Sequence, residues 1–254
     1  MELNLKDKVA LVTGGGTGIG AGISDYLAEE GVQVAVNYLV DEPAAVAFAA
    51  ELTRKYRTHA IAVYGDVSKP ADADAMIAET VRELGRIDIL VNNAGIWPTE
   101  DVLAMSDSSW ERVIDVNLNG PFYLARRVAQ ALVAAGRQGT IVNVSSKSGF
   151  QVSTGGHAHY ATAKAGVAML TRALARELTG KGVRVVGVAP GMVRTPINEE
   201  KWRREGLLDS YVSRIPTGRF TEPRELGYLV AFLCSDKAFN VVGTTVDCTG
   251  GMLI

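Results

Sequence analysis

Seven short apolar runs recur along the chain, most of them rich in β-branched residues, and segments with helical spacing separate most of them. The runs lie at residues 9–12, 32–38, 60–64, 87–91, 139–144, 183–188 and 244–247. Strands that are apolar throughout are typical of a sheet covered by helices on both faces. Because strands and helices alternate, the strands are expected to run parallel through right-handed crossovers. The pattern predicts an α/β fold in which a doubly wound, seven-stranded parallel sheet is flanked by helices.

The composition is typical of a soluble globular protein and argues against several classes of function. Hydrophobic residues make up 47% of the chain and charged residues 21%, and the net charge of -2 gives no basic surface for nucleic acid. The chain has no uncharged apolar stretch of about 18 residues, and its charged N-terminus does not fit a signal peptide. Cys234 and Cys248 lack metal-ligand spacing and are too few for a disulfide framework, so we interpret them as core thiols. A cytoplasmic protein without membrane, nucleic-acid or metal binding is predicted.

A single domain is expected to cover residues 1–254, because no Pro- or Ser-rich linker divides the chain. The least regular region, residues 196–216, carries charges and Trp202 and interrupts the alternation of strands and helices. We interpret this region as a lid or a substrate-binding insertion. Polar residues follow most of the predicted strands, and ligands bind beyond the carboxyl ends of the strands in such sheets. A ligand site is therefore predicted at that edge of the sheet.

A glycine-rich segment, TGGGTGIG at residues 13–20, follows the first predicted strand and opens a helix. Glycines permit a tight turn and a close approach of the backbone to a pyrophosphate. The free N–H groups and the positive end of the helix dipole favour the same anion. A glycine loop alone is a weak signal, but its position in a strand–helix–strand unit favours a dinucleotide cofactor.

Residues after the second and third strands bear on the choice of dinucleotide. Asp66 could accept a hydrogen bond from an adenine amino group or cap a helix, although Ser68 is better placed as the cap. A carboxylate at the end of the second strand selects NAD, whereas a basic residue accommodates the 2′-phosphate of NADP. Asn37 and Tyr38 supply neither signal, and no base stands at positions 17 or 39. NADP and NAD both remain open, with a slight preference for NADP because no acid at 37 or 38 repels the phosphate.

Tyr160 and Lys164 lie four residues apart at the start of a long amphipathic segment that is predicted to be helical to about Gly180. This spacing places both side chains on one face of the helix. A free tyrosine has a pKa near ~10 and is a poor base at neutral pH. An ammonium one turn away is expected to lower the pKa of Tyr160, so that the phenol can exchange a proton with a substrate oxygen. On spacing alone, an ordinary surface pair is the simpler interpretation.

Five motifs that occur in the expected order favour a catalytic Tyr160–Lys164 pair over a surface pair. They are TGGGTGIG at 13–20, NNAG at 92–95, Ser146, YATAK at 160–164 and PGMVRT at 190–195. Together, and over essentially the whole chain, they resemble the short-chain dehydrogenase/reductase family. The resemblance implies a Rossmann-type fold and an NAD(P)-dependent oxidoreductase that transfers hydride between nicotinamide C4 and an alcohol or carbonyl substrate.

The resemblance also implies roles for individual residues. Tyr160 would be the acid/base, and Lys164 would lower its pKa and bind the nicotinamide ribose. Ser146 would hydrogen-bond the substrate oxygen, with Ser145 as the neighbour that could be confused with it. Asn117 would hold a water in a proton relay to Lys164, or would be a helix amide satisfied by the backbone. The implied cofactor contacts are Gly14, Gly16, Thr17, Gly18, Ile19, Gly20, Asn37, Tyr38, Asp66, Val67, Asn93, Ala94, Gly95, Tyr160, Lys164, Pro190, Gly191, Val193 and Thr195.

The substrate itself is less constrained by the sequence. A small or medium ketone, a sugar or a hydroxy acid would suit the mixture of aromatic and polar residues near the site, and His157 and His159 are expected in a solvated loop. The resemblance is similar in strength to sugar dehydrogenases and to 3-oxoacyl reductases of the family, and it implies a homotetramer. A non-catalytic dinucleotide sensor is the alternative class, but it would be expected to lack the Tyr, Lys or Ser. The candidate substrate contacts are Ser146, Trp97, Phe150, Gln151, His157, Met192 and Trp202.

Overall fold

The computed structural model describes residues 2–152, 154–196, 198–199 and 206–254. Its seven strands form one sheet in the order β3-β2-β1-β4-β5-β6-β7, and every neighbouring pair is parallel. The predicted fold class is confirmed. The strands are β1 (Val9–Val12), β2 (Gln33–Tyr38), β3 (Ala60–Tyr64), β4 (Ile89–Asn92), β5 (Gly139–Val144), β6 (Val183–Pro190) and β7 (Thr245–Cys248).

Helices connect the strands and cover both faces of the sheet. The predicted helix around Tyr160 ends at Leu178 and passes into a 3-10 turn at Thr179–Lys181. A turn of π-helix, Asp115–Asn119, joins the fourth helix to the fifth and was not predicted from the sequence. The α-helices are α1 (Gly18–Glu29), α2 (Glu42–Tyr56), α3 (Pro70–Leu84), α4 (Asp107–Ile114), α5 (Gly120–Ala134), α6 (Ala158–Leu178), α7 (Leu208–Val212) and α8 (Pro223–Cys234).

Strand β1 shows why the apolar runs do not alternate with polar residues. All four of its residues are fully buried. Ala10 and Val12 face a core that includes residues of α1 and α8, whereas Val9 and Leu11 face a second core formed with α3 and α5. Each face of the strand therefore contacts a helical layer, which is the burial that a parallel sheet requires.

The strand order reverses between β1 and β4, which are neighbours in the sheet although two strands separate them in sequence. Adjacent loops leave such a sheet in opposite directions at this switch point, which opens a crevice beyond the strand ends. The glycine loop follows β1 and the NNAG segment begins in β4, so the two motifs meet at the crevice. Thr13 bridges them, because its Oγ1 accepts hydrogen bonds from the backbone N–H groups of Asn93 and Ala94, both at 2.9 Å.

The two cysteines are unpaired thiols. Cys234 is buried and Cys248 is partly buried, and burial raises the pKa of each thiol to about 12. Within the described ranges, no helix is long and apolar enough to cross a membrane. No group of three His, Cys, Asp or Glu side chains among those same residues could hold a metal ion.

Candidate active site

A cavity of about 860 Å³ lies beyond the carboxyl ends of β1, β4, β5 and β6. Its walls are the glycine loop, the segments after β4, β5 and β6, the start of α6 and the region of α7. The structure gathers there most of the residues that the motifs predicted. They are Gly14, Thr17, Gly18, Ile19, Asn93, Ala94, Gly95, Trp97, Asn117, Ser146, Gln151, His157, Tyr160, Lys164, Pro190, Gly191, Met192, Val193 and Thr195.

Some predicted site residues do not line this cavity. Trp202 lies outside the described residues. Phe150 is 49% exposed and does not border the cavity. The side chain of Val67 is packed into the hydrophobic core. The remaining predicted contacts outside the cavity wall are Gly16, Gly20, Asn37, Tyr38 and Asp66.

The glycine loop is shaped as an anion cradle. Gly14 and Gly18 have φ of +58° and +50°, in the left-handed region that favours glycine. A Cβ on Gly18 would also stand 3.2 Å from the Thr195 side chain. Thr17 precedes α1, and its side chain makes no capping hydrogen bond to the N–H groups of the first turn. Helix N-termini of this kind accept a phosphate, and the loop therefore fits a dinucleotide pyrophosphate.

Asn37 supports one side of the glycine loop through hydrogen bonds. Its Oδ1 accepts a hydrogen bond from Gly14 N at 3.1 Å, and its Nδ2 donates to Gly65 O at 3.0 Å. Asn93 supports the other side of the loop, because its Nδ2 donates to Thr13 O at 2.8 Å. Asn37 is only 3% exposed. Its polar side-chain atoms are therefore engaged within the protein, where they position the glycine loop.

Asp66 stands after β3, where the sequence predicted either an adenine contact or a cap. Its carboxylate accepts hydrogen bonds from the N–H and Oγ of Ser68, at 3.0 and 2.6 Å, and lies 3.3 Å from Arg112 Nη1. Burial raises the pKa of Asp66, but the Ser68 hydrogen bonds and the Arg112 charge outweigh it and hold that pKa below its usual range. The expectation that Ser68 caps a helix is wrong, since α3 begins at Pro70 and its cap position is Lys69. The reason is that Asp66 itself closes the turn that precedes the helix.

Tyr160 and Lys164 lie on the inner face of α6, as their spacing predicts. Lys164 is 4% exposed, and its Nζ donates a hydrogen bond to Val144 O at 2.9 Å. The same Nζ lies 5.7 Å from the centre of the Tyr160 ring. Burial lowers the pKa of Lys164 to about 8. The ordinary surface pair that the spacing alone allowed is therefore excluded.

The acidity of Tyr160 differs from the prediction. Burial raises the pKa of its phenol, and a hydrogen bond with the Ser146 side chain acts in the opposite direction without cancelling the rise. The sequence argument expected the Lys164 ammonium to lower this pKa. That amine is instead aimed at the Val144 carbonyl, and the desolvation of the phenol dominates. Tyr160 is therefore a neutral phenol at neutral pH, which is the protonation state of a proton donor.

The two adjacent serines have different environments. Ser145 is 3% exposed, and its Oγ donates a hydrogen bond to Lys164 O at 2.7 Å, which ties the end of β5 to α6. Ser146 Oγ accepts a hydrogen bond from Ser148 N at 3.1 Å, and the same side chain is near enough to Tyr160 to lower the pKa of its phenol, against the rise that burial causes. The hydroxyl beside the phenol is therefore that of Ser146.

Asn117 occupies the π-helical turn between α4 and α5 and is completely buried. Its Nδ2 donates hydrogen bonds to Ile96 O and Val113 O, each at 3.0 Å, while its Oδ1 is a buried acceptor without a protein partner. A Cβ on Gly95 would lie 2.6 Å from that Oδ1 and 3.6 Å from Lys164 Nζ. The Asn117 side-chain oxygen and the Lys164 amine therefore face one small space, which any side chain larger than that of Gly95 would fill.

The histidines beside Tyr160 behave differently from one another. His157 lines the cavity, with its ring centre 4.9 Å from that of Trp97 and its Nδ1 3.0 Å from Pro98 O. His159 was expected in a solvated loop, but it is completely buried. Its Nδ1 accepts a hydrogen bond from Tyr160 N at 2.8 Å, and burial lowers its pKa. A neutral His159 thus holds the first turn of α6.

Several cavity residues were not predicted from the sequence. Lys147 adjoins Ser146, so the motif that marked Ser146 was an available signal for it. Tyr211 and Arg214 lie within the region that the sequence marked as an insertion, although that region gave no reason to choose them. Met252 comes from the C-terminal segment after β7, which carried no signal.

The fold and the cavity define an oxidoreductase that uses a nicotinamide dinucleotide, in which a tyrosine and a buried lysine lie beside the dinucleotide crevice. Comparison with known proteins agrees with that class. The family model described as enoyl-(acyl carrier protein) reductase matches residues 14–253. The chain belongs to the short-chain dehydrogenase/reductase family.

Characterised relatives cover nearly the whole chain. The chain is 39% identical over 246 residues to the 3-oxoacyl-(acyl-carrier-protein) reductase FabG of Staphylococcus epidermidis. The matched residues cover 97% of this chain and 99% of that protein. The FabG of Staphylococcus aureus is 38% identical over 245 residues, covering 96% and 98%.

Solved structures are similar over the same extent. A short-chain type dehydrogenase/reductase from Mycobacterium marinum has a TM-score of 0.92 and 34% identity, over 99% of this chain and 97% of that one. The L-sorbose reductase from Gluconobacter frateurii, complexed with NADPH and L-sorbose, has a TM-score of 0.93 and 29% identity, over 100% and 99%. The protein is therefore an NAD(P)-dependent oxidoreductase that interconverts an alcohol and a carbonyl.

Proposed function

We propose that Tyr160 is the acid/base of a carbonyl reductase and that Ser146 is the second donor to the substrate oxygen. The observation that carries this proposal is that Tyr160, Ser146 and the buried Lys164 line the same cavity that the glycine loop also borders. A nicotinamide bound in the cavity would supply the hydride. As the substrate oxygen becomes negative, Ser146 and Tyr160 donate hydrogen bonds to it, and Tyr160 then gives up its proton.

Lys164 and Asn117 complete the proposed machinery. Lys164 Nζ lies 5.7 Å from the centre of the Tyr160 ring, near enough to take part in returning a proton to Tyr160 after the transfer. A relay water needs a hydrogen-bond acceptor, and the buried Asn117 Oδ1 is an acceptor without a protein partner. This oxygen faces Lys164 Nζ across the space beside Gly95. Reprotonation of Tyr160 would then proceed through Lys164 and that water.

The remaining contacts are proposed for the dinucleotide. The glycine loop would bind the pyrophosphate, Asp66 and Val67 the adenine, and the segments at 93–95 and 190–195 the ribose, the nicotinamide amide and the phosphates. We favour NADP over NAD because no carboxylate stands at Asn37 or Tyr38. The similar L-sorbose reductase is complexed with NADPH, which supports the same choice. A lower KM for NADPH than for NADH is the expected result.

Two substrate classes are supported by specific relatives. The staphylococcal proteins are 3-oxoacyl reductases, whereas the L-sorbose reductase is complexed with a sugar. The described part of residues 196–216 would contribute to the substrate wall, together with Trp97, Gln151, His157 and Met192. We also propose a homotetramer, for which the exposed apolar side chains of Trp110 on α4 and Met169 on α6 would supply contact surface. Light scattering that returned a monomer would contradict the tetramer.

The adjacent serines offer a matched test of the proposed roles. We expect Ser146→Ala to lower kcat/KM for a ketone by about 100-fold, since a donor to the developing oxyanion is removed. Ser145→Ala removes the hydrogen bond to Lys164 O. It should lower the free energy of unfolding by about 1 kcal/mol while kcat/KM stays within a few fold. Steady-state kinetics with NADPH and urea unfolding of both variants measure the two effects. If Ser145→Ala proved the more damaging to kcat/KM, the assignment of Ser146 would be wrong.

A further inference from the structure

His159, the residue before Tyr160, is a buried polar side chain that the proposed reaction does not use. It is completely buried. It is not among the described residues that line the cavity, whereas His157 and Tyr160 on either side of it both are. Buried polar groups are normally found where they make a hydrogen bond, so the contacts of this imidazole indicate why it is there.

The imidazole of His159 accepts a hydrogen bond that the helix itself does not supply. The first N–H groups of a helix have no acceptor within the helix. In α6, Ala161 N reaches back to His157 O at 2.9 Å. Tyr160 N lies one position earlier and donates to His159 Nδ1 at 2.8 Å, while the side chain of His157 makes no capping hydrogen bond. The acceptor for the Tyr160 backbone is therefore the ring of its neighbour.

This contact determines which ring nitrogen of His159 carries the proton. Since a backbone N–H only donates, Nδ1 is the unprotonated nitrogen and the proton lies on Nε2. Nε2 is itself buried and has no hydrogen-bond partner among the residues that the structure describes. Burial lowers the pKa of His159, and the nearby Glu100 carboxylate, which acts in the opposite direction, does not cancel that effect. The ring is therefore neutral and presents its lone pair to the Tyr160 backbone.

The unpartnered Nε2 shows what this histidine offers that an apolar residue would not. An apolar side chain of similar size would occupy the same site without burying an unsatisfied N–H group, which is unfavourable. It would have no acceptor for Tyr160 N. The acceptor at Nδ1 is therefore the property that distinguishes His159 from an apolar residue at this position.

The other end of the same helical turn is held by β5. Ser145 Oγ donates a hydrogen bond to Lys164 O at 2.7 Å, and Lys164 Nζ donates to Val144 O at 2.9 Å. With His159 bonded to Tyr160 N, the turn between Tyr160 and Lys164 has a hydrogen-bonded contact at each end. The backbone at Tyr160 sets the direction in which the phenol leaves the helix, so this contact bears directly on where the phenol lies.

We propose that His159 is a positioning residue for the acid/base, whose Nδ1 fixes the backbone of Tyr160 so that the phenol is held beside Ser146 and the substrate oxygen. This inference rests on the proposed function, because it gives His159 a role only if Tyr160 transfers a proton. His159 does not touch the substrate and exchanges no proton with it. A displacement of a reacting group by about 1 Å can lower the rate by about 100-fold, so loss of this contact should act on kcat rather than on binding.

The test replaces the imidazole with side chains that keep or lose the acceptor. His159→Leu fills the site without an acceptor, whereas His159→Asn places a side-chain oxygen where Nδ1 was. His159→Gln carries its amide one methylene further out and takes the place of the leucine variant if that variant does not fold. His59→Leu is the matched control, since His59 is an exposed histidine outside the cavity. The measurements are kcat and KM with NADPH and either ethyl acetoacetate or L-sorbose, NADPH affinity, and urea unfolding.

We expect His159→Leu to lower kcat by about tenfold or more, with KM for the ketone and affinity for NADPH within about twofold of the wild type. His159→Asn should recover most of that loss, and His59→Leu should have no effect on kcat. In the Tyr160→Phe background, His159→Leu should lower kcat no further, because the group that it positions is gone.

Two results would overturn the positioning role and leave the proposed reaction intact. One is an equal kcat for His159→Leu and His159→Asn, and the other is a full further loss of kcat when His159→Leu is added to Tyr160→Phe. Full activity of Tyr160→Phe by itself would mean that the proposed function fails instead. The same conclusion would follow if the wild type reduced neither ketone while it still bound NADPH.

Discussion

Tyr160→Phe should lower kcat/KM for carbonyl reduction by about 1,000-fold, because the substitution removes the proton donor and one of the two proposed hydrogen bonds to the substrate oxygen. The ring remains, so its packing is kept, including the contact 6.3 Å from centre to centre with Trp97. Affinity for NADPH should therefore change by no more than a few fold. The decay of NADPH absorbance measures turnover, and fluorescence titration measures cofactor binding.

A matched control separates the phenol from a general effect of losing a tyrosine hydroxyl. Tyr228 is an exposed residue of α8, outside the cavity, so Tyr228→Phe should leave kcat/KM unchanged. If Tyr160→Phe retained full activity with intact cofactor binding, Tyr160 would not be the acid/base. If it lost cofactor binding as well, the residue would act mainly on the dinucleotide site.

Gly20→Ala should have the second large effect, on both stability and cofactor binding. A Cβ at this position would collide with the Gly14 carbonyl and would lie 2.6 Å from Asn93 Nδ2. These groups form the floor of the glycine loop, where Asn93 bonds Thr13 and Gly14. Overpacking of this kind lowers the free energy of unfolding by about 1–3 kcal/mol. Displacement of the loop should also weaken NADPH binding by about 100-fold or more, since the anion cradle opens.

Urea unfolding without cofactor and titration with NADPH distinguish these two effects of Gly20→Ala. Gly180→Ala is the control, because a Cβ there meets no atom within 4 Å and the backbone does not require a positive φ. It should leave both measurements near the wild-type values. If Gly20→Ala bound NADPH with normal affinity, the glycine loop could be displaced without loss of cofactor binding. The proposal that the shape of this loop binds the pyrophosphate would then be wrong.

The sheet could be predicted from the sequence because its signal is local. Each strand is a run of apolar residues buried on both faces, and β1, with four fully buried residues, shows this directly. The boundaries were less certain, since β4 begins at Ile89, two residues later than the apolar run. Asp88 stands just before it, where its carboxylate accepts a hydrogen bond from Val9 N at 2.9 Å and its own N–H donates to Val9 O.

The parts that sequence reasoning missed depend on contacts between distant segments. Spacing predicted that Tyr160 and Lys164 share a face, but it could not show that Lys164 Nζ is directed at Val144 O, 20 residues away. The rise in the pKa of Tyr160 depends on burial that several segments create together. The burial of His159 and the π-helical turn around Asn117 are likewise set by tertiary packing. Short polar motifs in a known order located the cavity, whereas the hydrogen bonds of its side chains required the structure.

The pH dependence of wild-type kcat/KM, measured for ketone reduction and for oxidation of the matching alcohol, tests the role of Tyr160 most directly. Because burial raises the pKa of its phenol, the donor form is present at neutral pH. Reduction should then be constant near neutrality and fall as the pH rises through that pKa, whereas oxidation needs the phenolate and should rise over the same range. A reduction rate that stays flat through the alkaline limit, or that rises with pH, would contradict proton donation by this residue.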